Sequence, residues 1–252
     1  MLKKSRYIEI GGTARSPEDV ISLKNLGLKF AEIAPDNDEQ FIRQIGRYNE
    51  LRESLNIYYL AHGPREGDAN DIENLEKVYL EKIKKILPLV EQLGIDLLTV
   101  HVWLDKRFIN PDVIKFKFDL LQRIIDLASR RGITICIENL SEHVSDLGQI
   151  FVQLPDLKMT LDLGHAQLLT NENNSIGFIK SYPERINHIH MHDNRGGDSA
   201  MDDIHLAPGE GVIDFESIFN ELKNIGYDRT ITLELKPYEI ENCQNYVETF
   251  IE

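Results

Sequence analysis

Short apolar runs recur along the chain, and each is followed by a longer stretch whose apolar residues return every three or four positions. The first pattern predicts strands and the second amphipathic helices. Strands are expected near 6–11, 29–34, 56–62, 96–101, 133–139, 157–162, 186–191 and 230–235. Helices are expected near 17–27, 38–54, 72–93, 111–131, 142–153, 174–182, 214–225 and 239–251. Turn residues agree: Gly27 and Gly94 close helices, Gly132 and Gly226 precede strands, and Ser16-Pro17 and Asn110-Pro111 open helices. Strict strand–helix alternation implies a parallel sheet. Eight such units in 252 residues, with no linker or low-complexity break, predict one (β/α)8 TIM barrel spanning 1–252.

Within the strands, successive side chains point to opposite faces. In the fifth, Ile133, Ile135 and Ile137 oppose Thr134, Cys136 and Glu138; in the sixth, Leu157, Met159 and Leu161 oppose Lys158, Thr160 and Asp162; in the eighth, Ile231, Leu233 and Leu235 oppose Thr230, Thr232 and Glu234. The aliphatic face packs on the helix ring, so the other faces into the barrel. Each inward set ends in a carboxylate at the strand's C-terminal end, where TIM-barrel active sites are built. The third and fourth strands end likewise in His62 and His101.

The strand tops and the loop after the seventh strand therefore gather His62, His101, Glu138, Asp162, His165, His190, Asp203, His205 and Glu234. Several carboxylates around one pore repel unless a cation compensates them. Mixed His, Asp and Glu donors suit zinc, manganese or a related divalent metal. In His188-Ile189-His190-Met191-His192-Asp193, alternation turns all three histidines inward. His188 lies deeper and is expected to hydrogen-bond in the core, His192 to lie already in the loop, and Asp193 to orient a ligating imidazole. Lys158 is expected deep in the barrel. Inward Glu9 and Glu32 fit either a hydrogen bond to a polyol or a structural role, and the structural role is preferred.

Composition narrows the class. The chain is 42% hydrophobic and 28% charged with a formal net charge of -14, which argues against a nucleic-acid partner. No apolar run is long enough to cross a membrane. The first residues lack the apolar core of a signal peptide, and two isolated cysteines, Cys136 and Cys243, make no disulfide framework, so a cytoplasmic location is expected.

The segments AHGP at 61–64, LLTVHV at 97–102, ICIENL at 135–140, TLDLGHA at 160–166, HIHMHDN at 188–194, DDIHLAPGEGVIDF at 202–215 and TLEL at 232–235, in this order and spacing, resemble the xylose isomerase-like TIM-barrel superfamily. That superfamily includes sugar-phosphate isomerases and epimerases and endonuclease IV. The resemblance implies a one-metal core at Glu138, Asp162, His190 and Glu234, with Glu138 and Glu234 as the acid/base pair. The endonuclease IV pattern adds His62, His101, His165, Asp203 and His205, giving three zinc ions with Glu138 bridging two; one to three ions are thus implied. The loop after His62, GPREGDANDIEN, departs from that enzyme's aromatic DNA-entering loop. The leading expectation is a metal-dependent isomerase or epimerase of a small sugar or sugar phosphate. The alternative is a multinuclear hydrolase of a small phosphoester or abasic DNA.

Overall fold

An aliphatic stripe on one face of every strand is buried only if helices cover it, and a closed barrel covers all the stripes without leaving a sheet edge. The computed structural model describes residues 8–251. In it β1 (Glu9–Ala14), β2 (Phe30–Ile33), β3 (Tyr58–His62), β4 (Leu97–Val100), β5 (Thr134–Glu138), β6 (Lys158–Asp162), β7 (Ile186–Met191) and β8 (Thr230–Leu233) close into one barrel in sequential order. All neighbouring strands are parallel. The surrounding helices are α1 (Pro17–Asn25), α2 (Glu39–Leu55), α3 (Ile72–Asn74), α4 (Leu80–Gln92), α5 (Pro111–Ser129), α6 (Val144–Gln153), α7 (Ser175–Ser181), α8 (Phe215–Ile225) and α9 (Pro237–Ile251). The expected helix over 72–93 is present, but a π-helical turn, Leu75–Tyr79, joins α3 to α4.

Ile135, Ile137, Met159, Leu161, Ile231 and Leu233 are buried in the main core between barrel and helices. A separate cluster of Phe30, Leu60, Leu97 and Cys136 plugs the barrel interior. Above it the Thr99 and Thr160 hydroxyls share a 2.8 Å hydrogen bond. The interior is thus apolar low down and polar toward the C-terminal strand ends.

The first strand differs from the expectation of 6–11, of which residues 6 and 7 lie outside the described residues. It runs through Gly11 and Gly12 to Ala14. A Cβ on Gly11 would collide with the Phe30 ring, so this glycine makes room for the plug rather than ending the strand. Glu9 is exposed at the N-terminal mouth, where it accepts a 2.5 Å hydrogen bond from the Tyr58 hydroxyl. Lys158 is only partly buried, and its ammonium donates to the Glu184 carbonyl at 3.3 Å, so it does not reach deep into the barrel interior.

The loops that wall the C-terminal face are tied from beneath. Lys117 of α5, fully buried, lies 3.0 Å from Glu66 Oε2 and donates to the Trp103 carbonyl at 2.7 Å. Glu66 Oε1 accepts from the Trp103 amide at 2.9 Å. This pair fixes the segment after β3 to the segment after β4. Among the described residues no helix is long and apolar enough to cross a membrane.

Candidate metal centre

All nine residues expected to bind metal meet at the C-terminal end of the barrel, in three neighbouring groups, two of which share Glu138. Glu138, Asp162, His190 and Glu234 each bring a ligand-type atom within 4.8 Å of the others. His62, His101 and Glu138 form a second group, and His165, Asp203 and His205 a third, joined by His192. His62, His101, Glu138, Asp162, His190 and Glu234 stand on the last inward position of a strand or just after it, as strand parity requires, whereas His165 comes from the turn after β6 and Asp203 and His205 from the loop between β7 and α8.

Glu138 is the hub and is 1% exposed. Its Oε2 lies 2.8 Å from His101 Nε2 and 3.3 Å from His62 Nε2. Its Oε1 lies 3.2 Å from both His190 Nδ1 and His165 Nδ1. Burial opposes ionisation, yet the charges of His190 and His101, with the hydrogen bonds from His101 and His165, hold this carboxyl well below the ordinary range. The same balance acts on His62: burial disfavours its charged form, but the hydrogen bond and charge of Glu138 raise it to about 9.

Asp162 is set by backbone pairing. Asn139, just past β5, donates from Nδ2 to the Asp162 carbonyl and accepts from the Asp162 amide on Oδ1, both at 2.9 Å. A 3-10 turn, His165–Gln167, follows immediately, and the His165 amide donates to Asp162 Oδ1 at 2.6 Å. His165 Nε2 then reaches Asp203 Oδ2 at 3.3 Å. His205 Nε2 lies 3.4 Å from Asp203 Oδ1. Although burial opposes it, Asp203 with Glu234 nearby raises His205 to about 9.

Two residues at the cluster were not assigned from the sequence. His192, just past β7, is fully buried, with Nε2 3.2 Å from Asp162 Oδ1 and 3.8 Å from both Asp203 Oδ1 and Glu234 Oε2. Its inward parity was the available signal, masked by placing it in the loop. Glu32 of β2, 2% exposed, lies 3.0 Å from His190 Nε2 and 3.3 Å from His188 Nε2. Glu32 therefore belongs to the site, whereas Glu9 does not. His188 hydrogen-bonds Thr230 at 2.7 Å and Thr232 at 3.0 Å, the core role expected of it.

Asp193 departs from its expected role. Its carboxylate accepts from the amides of Asn194, Gly209, Gly211 and Ile213 at 2.9–3.2 Å. It organises the loop between β7 and α8, with an antiparallel bridge to Leu206, and among the described residues it orients no imidazole. The chain turns back here, so a short acid after the strand meets loop amides before it meets a ring.

The donor set fits a divalent cation. Asp162 Oδ2, Asp203 Oδ1, Glu234 Oε2 and both ring nitrogens of His192 are buried without a hydrogen-bond partner. Leaving so many buried polar atoms unpaired is costly, and an ion coordinated by nitrogen and oxygen would satisfy them together. The cluster lies along a cavity of about 470 Å³ also lined by Thr13, Arg15, Phe41, Tyr48 and Arg65.

The family model described as xylose isomerase-like TIM barrel matches residues 21–249. The chain belongs to this family. A relative of uncharacterized function from Methanocaldococcus jannaschii is 30% identical over 242 residues, covering 89% of this chain and 88% of its own. An inosose dehydratase from Klebsiella pneumoniae is 26% identical over 202 residues, covering 70% of this chain and 66% of its own. Among solved structures, a D-tagatose 3-epimerase-like protein superposes with a TM-score of 0.80 at 24% identity, covering 96% of this chain and 97% of its own. The IolI protein with a bound zinc atom superposes at 0.78 and 15% identity, covering 97% and 98%. At these identities the structural likeness speaks to the fold alone.

Proposed function

We propose that this chain is a divalent-metal-dependent isomerase or epimerase of a small sugar or sugar phosphate. The observation that carries the reading is the convergence of Glu138, Asp162, His190 and Glu234 from four different strands on one point beside an open cavity. These four residues would hold the ion, zinc or manganese by their chemistry. A divalent cation held there supplies a Lewis acid toward neighbouring carbonyl and hydroxyl oxygens of a polyol, which acidifies the carbon-bound proton between them.

The chain's own groups handle that proton. Glu234 both belongs to this donor group and lines the cavity, so its carboxylate would touch the ion and accept the proton from carbon. Glu138, at the end of β5 and within 3.3 Å of four imidazoles, lines the same cavity and would exchange a proton with the substrate's other face. Glu32 holds His190 in place through its Nε2. The names of the relatives, one acting on an inosose and one resembling a D-tagatose epimerase, support a polyhydroxylated carbonyl compound as the substrate class.

The second and third donor groups favour an alternative: hydrolysis of a small phosphoester at a multinuclear site. Deuterium exchange separates the two. Metal-loaded protein in D2O, offered ketoses and ketose phosphates, should place deuterium on carbon next to the carbonyl, and Glu138→Gln and Glu234→Gln should each abolish it. Release of inorganic phosphate without carbon exchange would replace the isomerase reading by the hydrolase one.

A further inference from the structure

The cavity beside the donor cluster is not lined by acids alone. Arg15, from the segment joining β1 to α1, and Arg65, from the segment joining β3 to α3, both line it. They stand in alternate units on either side of β2. Both are exposed, and neither guanidinium makes a hydrogen bond or ion pair among the described residues.

The neighbouring acids are already engaged. Arg65 lies in GPREGDANDIEN, where Glu66 is committed to the buried Lys117 and the Trp103 amide. In the same loop Asp68 accepts from the Asn70 amide, Asp71 caps α3, and Glu73 pairs with Lys77. Beside Arg15, Asp19 accepts from the arginine's backbone amide rather than its guanidinium. Elsewhere on this surface Arg43 pairs with Glu39, Arg47 with Glu50 and Arg123 with Glu76, while Arg130 and Arg195 are unpaired among the described residues but line no cavity with the donor cluster. Were Arg15 and Arg65 merely counter-ions of the acidic cluster, one of them would lie within ion-pair distance of a carboxylate there, and none does. What distinguishes Arg15 and Arg65 is that both line the same cavity as the acidic cluster without pairing with it, in a chain of net charge -14.

We propose that Arg15 and Arg65 bind the anionic end of the substrate, a polyol carrying a phosphate or carboxylate group, while its carbonyl end lies at the donor cluster. This rests on the isomerase or epimerase reading and narrows its substrate class. The planar fork of a guanidinium matches the oxygen spacing of both anions. Carbon surface from Ile33, Ala34 and Phe41 lines the same cavity and suits the aliphatic face of the chain between the two ends.

Calorimetry on the metal-loaded full chain tests this with D-fructose, D-fructose 6-phosphate and D-galacturonate. At least one anionic ligand should bind ten or more times more tightly than D-fructose, and which one does distinguishes phosphate from carboxylate. The R15Q/R65Q variant should reduce that advantage to below threefold, and R15K/R65K should retain part of it. Equal binding of neutral and anionic ligands, or an advantage that survives R15Q/R65Q, overturns the proposal. An arginine-dependent preference without carbon-bound deuterium exchange on any ligand leaves the anion site standing and removes the isomerase reading. Exchange on D-fructose with no anionic preference does the reverse.

Discussion

Gly164 is the position at which a single methyl group should report on the whole cluster. It sits between Asp162 and His165 with φ -72, an ordinary helical value that alanine adopts without strain. A Cβ there would fall inside van der Waals contact of the His192 imidazole, a ring with 0% exposure. That ring cannot retreat freely, because the His205 ring stacks on it at 3.9 Å between centroids. Overpacking of a tight site costs ~1–3 kcal/mol. Glycine-to-alanine replacement at a compatible backbone returns ~0.4–1 kcal/mol by restricting the unfolded chain. Because the added Cβ would overlap three atoms of the ring, the overpacking cost falls in the upper part of its range, about 2–3 kcal/mol. The net expectation for Gly164→Ala is then a loss of about 1–2.6 kcal/mol, and at ~2–4 °C per kcal/mol for a chain of this size the Tm should fall by roughly 2–10 °C. Because the displaced ring belongs to a donor group, metal affinity measured by calorimetry should fall as well. A Tm that is unchanged or raised, with an unaltered metal isotherm, would refute both the packing and the placing of His192 in the cluster.

Two further outcomes follow from burial and charge. In chelator-stripped protein His62 and His205 are both raised to about 9, so the folded state binds more protons than the unfolded one above the ordinary histidine range. Their stabilisation is complete below pH ~6.5 and is lost as pH rises toward about 9, whereas a metal, which needs neutral imidazole, should reverse the slope. Thermal unfolding across pH 6–9.5 with and without metal checks this, and metal at 100 times its Kd should add about 2.7 kcal/mol; identical profiles would show that the imidazoles do not share a metal. Lys117→Met leaves the buried Glu66 carboxylate and the Trp103 carbonyl without their partner and should cost ~3–5 kcal/mol in urea unfolding, while a loss under 1 kcal/mol would mean that the pair is not desolvated as described.

The barrel was legible because its signals are local and repeated. Alternation within β5, β6 and β8 separates core from interior, and glycine and proline mark where each unit turns. Six of the nine candidate donors were legible for the same reason, since each ends an inward series, whereas His165, Asp203 and His205 were read from the family pattern rather than from parity. What escaped depends on distant contacts. His192 has the right parity, but its aim toward Asp162 depends on how the chain leaves β7. Asp193 was given to an imidazole because spacing cannot show that Gly209 and Gly211 fold back onto it. Gly11 looked like a strand end because the Phe30 ring it accommodates lies on another strand.

The central claim is that the strand-top donors hold a divalent cation, and anomalous diffraction from crystals grown with zinc or manganese and no chelator tests it most directly. The account predicts a peak within ~2.0–2.2 Å of donor atoms from Glu138, Asp162, His190 and Glu234, with a second peak beside His62 and His101. A peak confined to the first group would leave the isomerase reading intact and remove the multinuclear one. No anomalous density at any of these residues, from crystals soaked in excess metal, would contradict the account.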